Sequence, residues 1–115
     1  MSGKAIVLRR IAEKDVEEAV AHYVDEGGDA LALRFIDSLE SAFFRVGTQP
    51  AMGSPRYATE LDLTGLRYWP LKRFPYLVFY VEREDHVDVW RVLHEQRDIP
   101  AWLQMGEAGD VDPLL

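Results

Sequence analysis

A chain of 115 residues, 48% of them hydrophobic, is long enough for one domain with its own core and too short for two. It has no cysteine, which excludes disulfides and thiolate metal sites and suits the cytoplasm. Its net charge of −7 argues against holding nucleic acid by phosphate neutralisation, which calls for a basic excess. No direct DNA binding is therefore expected, although a local cationic patch is compatible with the total.

Residues 4–10 begin with Lys4 and the apolar run Ala5-Ile6-Val7-Leu8, cut short by Arg9 and Arg10. The run is too brief for a signal peptide or a membrane span, so no membrane partner is expected, and its β-branched core predicts a first strand. Val16, Ala19, Val20 and Tyr23 then recur at i, i+3, i+4 and i+7, one face of a helix. Glu13, Asp15, Glu17 and Glu18 fall in its first turns, where negative charge complements the dipole, and read as a solvated face. Gly27-Gly28 ends it, because glycine tolerates a left-handed cap. Asp29 is placed to cap a second helix with the face Ala32, Phe35, Ile36, Leu39, Ala42, Phe43 and Val46, stopped by Gly47 and Pro50. So short a connection predicts a helical hairpin.

Residues 47–64 are rich in Gly and Pro and read as a crossing loop with one helical turn near Tyr57 to Leu61. Strands are predicted from Leu66 to Leu71, Tyr76 to Glu82 and His86 to His94. In the last, strict alternation places Val87, Val89, Arg91 and Leu93 on one face and Asp88, Trp90, Val92 and His94 on the other. Ile99 to Met105 predicts a short helix or a closing segment, and residues 106–115 an acidic flexible tail. Residues 1–105 thus form one domain. Short turns force the last three strands into an antiparallel meander, and the helices must bury their stripes against it. The fold class is α+β and two-layer: an N-terminal strand, a helical hairpin, then a three-stranded antiparallel meander completing a small sheet. His22 and Glu18 are four apart without a further ligand, so no metal is assigned, and no phosphate loop or nucleophile elbow is present.

Several residues carry a resemblance when taken in order. They are Ala30, Phe35 and Leu39 in the hairpin, then Gln49-Pro50-Ala51-Met52-Gly53, Leu66-Arg67, Phe74-Pro75-Tyr76, Tyr80, Val92-Leu93-His94 and Arg97-Asp98. The set resembles the RelE/ParE superfamily of type II toxin–antitoxin toxins and lies nearer the ParE branch. The resemblance implies a plasmid-stabilisation-like bacterial toxin that needs no cofactor. It would be neutralised by a cognate ParD-like antitoxin laying a helix and an extended segment over it. ParE-type members act on DNA gyrase; RelE-type members cleave mRNA in the ribosome. The acidic charge and the tail Glu107 to Leu115 depart from both patterns.

Three functional readings follow. The first is a gyrase inhibitor that recognises a surface and does no bond chemistry, with Arg67, Arg73 and Arg97 facing the target. The second is a ribosome-dependent endoribonuclease. It needs a base, an acid and cations for the phosphorane charge, drawn from Arg67, Lys72, Arg73, Arg91, His94 and Tyr80. Against it, His94 at a strand end and Tyr80 in a sheet read first as structural groups, and Arg91 as the partner of a carboxylate across the sheet. The third is a non-toxic member that only binds its antitoxin. Leu33, Phe44 and Trp102, off or beyond the main core stripe, are the candidate antitoxin contacts. Trp69, Trp90 and Trp102 read as core or interface, and Arg9 and Arg10 as solvated.

Overall fold

The protein was analysed as a computed structural model, which describes residues 3–109. In chain order it has β1 (Ala5–Leu8), α1 (Arg10–Thr48), a 3-10 turn (Pro50–Met52), α2 (Arg56–Leu61), β2 (Leu66–Pro70), β3 (Tyr76–Glu82), β4 (His86–His94) and α3 (Ile99–Gly109). The four strands make one mixed sheet in the order β1-β4-β3-β2. The expected meander β2-β3-β4 is antiparallel, and β1 joins it at the edge, parallel to β4.

The hairpin is present as two limbs of α1. The backbone leaves helical geometry at Gly27 and Gly28, the latter with φ 74°, a left-handed conformation that glycine adopts without steric cost. A straight helix of 39 residues would be about 58 Å long, far beyond the molecule's longest dimension of 38 Å. The break lets the limbs pair, with the Tyr23 and Phe35 rings 5.2 Å apart. Asp29, expected to cap the second limb, is exposed and makes no side-chain hydrogen bond among the described residues. The junction lies open to solvent, so its free N–H groups need no protein partner.

One sheet face carries the apolar stripes of α1. Ala12, Ala19, Phe35, Leu39, Ala42 and Val46 pack on Val78, Tyr80, Val87, Val89 and Val92. Phe74 and Tyr76 reach up from the β2–β3 side to meet Phe35 edge-on at 5.4 and 5.3 Å. Burying a ring such as Phe35 contributes about 2–3 kcal/mol. The opposite face also has a core. Leu66, Phe79, Val81, Trp90 and Leu93 lie under Ile99 and Leu103 of α3, with Tyr57 and Leu61 of α2 beside them. A sheet buried on both faces explains why Tyr76–Glu82 reads as a nearly continuous apolar run.

The strict alternation predicted for β4 breaks at a bulge. Phe79 pairs with Arg91 and Tyr80 with Val89, so Trp90 is an extra residue in the ladder. An inserted residue reverses the facing of everything beyond it. Val87, Val89 and Val92 therefore face α1, while Trp90 and Leu93 face α3. α3 runs to Gly109, past the expected start of the acidic tail at Gly106. The rest of that tail, residues 110–115, lies outside the described residues.

Candidate functional site

Arg67 and Tyr80 are cross-strand partners on β2 and β3. Both reach toward the loop that follows α1. Tyr80 Oη donates to the Pro50 carbonyl at 2.6 Å, and Arg67 Nη1 donates to the Gly53 carbonyl at 2.7 Å. Tyr80 is fully buried. Burial pushes its phenol above the ordinary tyrosine value, against the opposing influence of the Gly53 backbone and the Arg67 guanidinium. The group therefore stays a neutral donor and is not a base near neutral pH.

Arg91 is buried, 2% exposed. Its Nε and Nη2 donate to the two carboxylate oxygens of Asp15, each at 2.7 Å, and its Nη1 donates to the Trp102 carbonyl at 2.9 Å. Asp15 Oδ2 also accepts the Val92 N–H at 3.1 Å. The geometry follows from the shortness of β1. The Arg9 N–H bonds the Val89 carbonyl at 3.0 Å, β1 stops, and the edge of β4 beyond it is open. The first turns of α1 bring Asp15 to that edge, where it takes the unpaired backbone donor and the guanidinium together. Asp15 was read from sequence as solvated; it is buried. Its spacing from Ala12 and Ala19, which places it on the buried stripe, was the available signal.

His94 pairs with Tyr76 in the ladder, and the two rings meet edge-on at 5.2 Å. Its Nδ1 accepts the Gln96 N–H at 3.1 Å, closing the turn after β4. Tyr76 and Tyr80 are four residues apart on β3, so the His94 end lies about 13 Å along the sheet from Tyr80. The proposed nuclease set thus falls in three places. Arg67 and Tyr80 sit under the loop, Arg91 lies in a buried ion pair, and His94 is at the far end of the strands.

Of the remaining candidates, Lys72, Arg73 and Arg97 are exposed. Arg73 projects from the β2–β3 turn with φ 70°, and Arg97 stacks on Trp102 at 4.2 Å. Trp102 is half-buried between Arg97 and Arg91 on the α3 side. On the other side of the molecule, Leu33 and Phe44 of the second limb are 59% and 70% exposed. Eleven residues, three helical turns, separate them, so they project in one direction about 16 Å apart. Phe44 borders an open groove of about 1610 Å³ between the second limb, β2 and the β2–β3 turn. Leu33 and Phe44 are therefore brought onto one surface; Trp102 is not part of it.

Sequence reasoning also missed Asp88. Arg9 holds it with Nε and Nη2 at 3.1 Å each, Arg83 with Nε at 3.2 and Nη2 at 2.9 Å, and Trp90 Nε1 at 3.2 Å. Arg9, read from sequence as solvated, lies 4.5 Å over the Trp90 ring. Burial alone would raise the Asp88 carboxyl, but hydrogen bonds from Arg9, Arg83 and Trp90 outweigh it and hold the group below the usual carboxylate value. A lowered folded-state value stabilises the fold above the unfolded carboxylate value and is lost as pH falls through the folded one. Asp88→Asn is therefore expected to melt below the parent at neutral pH, with the gap narrowing as pH falls into the carboxylate range. A gap independent of pH in thermal melts would contradict this.

Among the described residues no group of three His, Cys, Asp or Glu is placed to hold a metal ion. No helix among them is long and apolar enough to cross a membrane.

The fold and these sites define a class: a small α+β domain whose buried polar groups tie its elements together and whose exposed cations and apolar side chains form a surface. Within that class, residues 6–99 match the family model described as the ParE toxin of type II toxin–antitoxin system, parDE, and the chain belongs to that family. Among solved structures it is similar to one titled "Chromosomal ParDE TA system from P. aeruginosa", with a TM-score of 0.66, 18% identity and coverage of 79% of this chain and 95% of that one. At that identity the likeness is one of fold. No curated protein matches the chain in sequence.

Proposed function

We propose that this ParE-family toxin acts by binding and inhibiting DNA gyrase and is neutralised by a cognate ParD-like antitoxin, with no bond chemistry of its own. The observation that carries this reading is the scatter of the acid–base candidates. Tyr80 and Arg91 are buried and engaged, and His94 stands about 13 Å along the sheet from Tyr80. General acid–base catalysis needs donor and acceptor within hydrogen-bond reach of one reacting group. The exposed Arg73 and Arg97 are assigned to target recognition, with Arg67 holding the neighbouring loop in place through Gly53. Leu33 and Phe44 are assigned to the antitoxin, and Trp102 to a separate contact on the α3 side. The protein acts in the cytoplasm, where gyrase is.

A strand of the antitoxin has no free template on β2. Tyr68 already exchanges both backbone bonds with Ser54, at 2.9 and 3.0 Å, and Pro70 has no N–H. This favours a helix lying in the groove as the main contact.

The test is DNA supercoiling by purified gyrase with increasing amounts of the folded chain. The expected result is loss of supercoiling, reversed by adding the cognate antitoxin and weakened by Arg73→Ala with Arg97→Ala. Full supercoiling with the chain in excess, together with ribosome-dependent mRNA cleavage abolished by Arg67→Ala, would replace this reading with the nuclease.

A further inference from the structure

We infer that Arg97, laid on the Trp102 ring and held by a turn that His94 sets, grips a side-chain carboxylate of the target through two N–H donors. This rests on the gyrase reading above and names the group that Arg97 binds there. Four arginines lie over an aromatic ring: Arg9 over Trp90, Arg56 over Tyr57, and both Arg91 and Arg97 over Trp102. Three of them also spend N–H donors on a carboxylate, Arg9 on Asp88, Arg56 on Glu60 and Arg91 on Asp15. Arg97 has the ring, at 4.2 Å, but its guanidinium makes no hydrogen bond or ion pair among the described residues. It is exposed, so the fork of donors that the other three use internally is open to a partner.

The turn that carries Arg97 is fixed from His94. The Gln96 N–H donates to His94 Nδ1 at 3.1 Å, and the Arg97 N–H to the His94 carbonyl at 3.0 Å. A backbone N–H only donates, so Nδ1 bears no proton and the neutral ring carries it on Nε2. The ring is itself seated against Tyr76, and the Glu95 N–H ties the turn to the Pro75 carbonyl at 2.8 Å. The stacking partner is equally anchored. Trp102 donates its N–H to the Asp98 carbonyl at 2.9 Å, and its own carbonyl accepts from Arg91. Asp98 turns its carboxylate to the start of α3, where Oδ1 accepts the Ala101 N–H at 3.4 Å. A cation placed by its backbone and its ring in this way loses little side-chain freedom when it binds.

An arginine stacked by its flat face keeps its N–H edges free, and those edges match the two oxygens of a carboxylate. Phosphate oxygens match the same fork, but the surroundings choose between them. Glu95 and Asp98 flank Arg97 and are exposed, and the chain as a whole is acidic. A nucleic-acid backbone, charged at every phosphate, is repelled there, whereas one carboxylate set among neutral residues is not. The group fitted here is therefore an Asp or Glu side chain of the target protein.

The test is inhibition of plasmid supercoiling by purified gyrase, run beside binding of the cognate antitoxin. Arg97→Lys keeps the charge and loses the fork, and is expected to need about 10-fold more protein for half inhibition. His94→Leu removes the acceptor for Gln96 and is expected to weaken inhibition by about 10-fold as well, while His94→Asn, whose side-chain oxygen can accept the same N–H, stays within about 3-fold of the parent. Arg10→Lys, at an exposed site at the start of α1, should match the parent. Antitoxin binding should be unchanged in all four. A parent that does not inhibit gyrase would overturn the target reading and this proposal with it. Inhibition by the parent with Arg97→Lys equally potent would overturn the proposal alone, as would His94→Asn no better than His94→Leu. Three other results would assign the fork elsewhere and also overturn it: antitoxin binding weakened in step with inhibition, retention of the plasmid by the chain without gyrase, or stronger inhibition after Glu107→Gln with Asp110→Asn, which would make the chain's own end the source of the carboxylate.

Discussion

Gly53→Ala is expected to destabilise the protein by about 2–3 kcal/mol, at the upper end for overpacking by one carbon. The reason is contact and not backbone conformation. A Cβ at Gly53 would stand 2.8 Å from Tyr80 Cζ and 3.0 Å from the Tyr68 carbonyl oxygen, and would collide with Tyr80 Oη. Tyr80 cannot retreat, because it is fully buried in the face that carries α1. The loop must lift instead, which breaks the Pro50 and Gly53 carbonyl bonds to Tyr80 and Arg67. A double-mutant cycle isolates the cause. Tyr80→Phe alone should cost about 1 kcal/mol for its lost hydrogen bond. In the Gly53→Ala background it should cost nothing or restore stability, since it removes the atom that the new Cβ meets. Additive losses in urea unfolding would show that the clash is not what makes alanine costly at this position.

The buried pair gives a larger effect. Asp15→Ala is expected to cost about 3–5 kcal/mol, because it leaves the Arg91 guanidinium buried without its carboxylate. It also leaves the Val92 N–H without an acceptor. Three elements loosen together, since Arg91 also holds α3 through the Trp102 carbonyl. Adding Arg91→Met should recover much of the loss, as replacing a whole buried ion pair costs less than breaking it. Glu17→Ala, two residues away and exposed, is the control and should change little. An Asp15→Ala variant as stable as the control would mean that the pair is not holding the free edge of β4.

Apolar spacing made both limbs of the hairpin legible, since Phe35, Leu39, Ala42 and Val46 face the sheet as their three-and-four recurrence requires. Short turns made the meander legible, because a connection as brief as Arg83-Glu84-Asp85 permits only an antiparallel neighbour. The position of β1 was not legible. Four apolar residues pair with equal ease on either edge, and the choice is made by how α1 packs. The bulge at Trp90 was not legible either, because it exists in the pairing of two strands and has no local signature in Val89-Trp90-Arg91. That one residue also placed Arg91 on the wrong face in the sequence reading. The carboxylate partner expected for it is real, but it comes round the edge of the sheet from α1. Surface candidates fared differently by type. Leu33 and Phe44 were recognisable as exposed because they lie off the helical stripe. Arg34 and Arg45, which lie with Lys72 and Arg73 along one groove, were not recognisable as neighbours, because that grouping depends on which edge of the sheet the second limb crosses.

The most direct measurement is growth after induction of this chain alone in bacteria, with the DNA damage response and bulk translation followed in parallel. Surface recognition of gyrase predicts arrest with DNA damage while translation continues, relieved by co-expressing the antitoxin. An immediate stop in translation without DNA damage would contradict that account and place the activity on the ribosome.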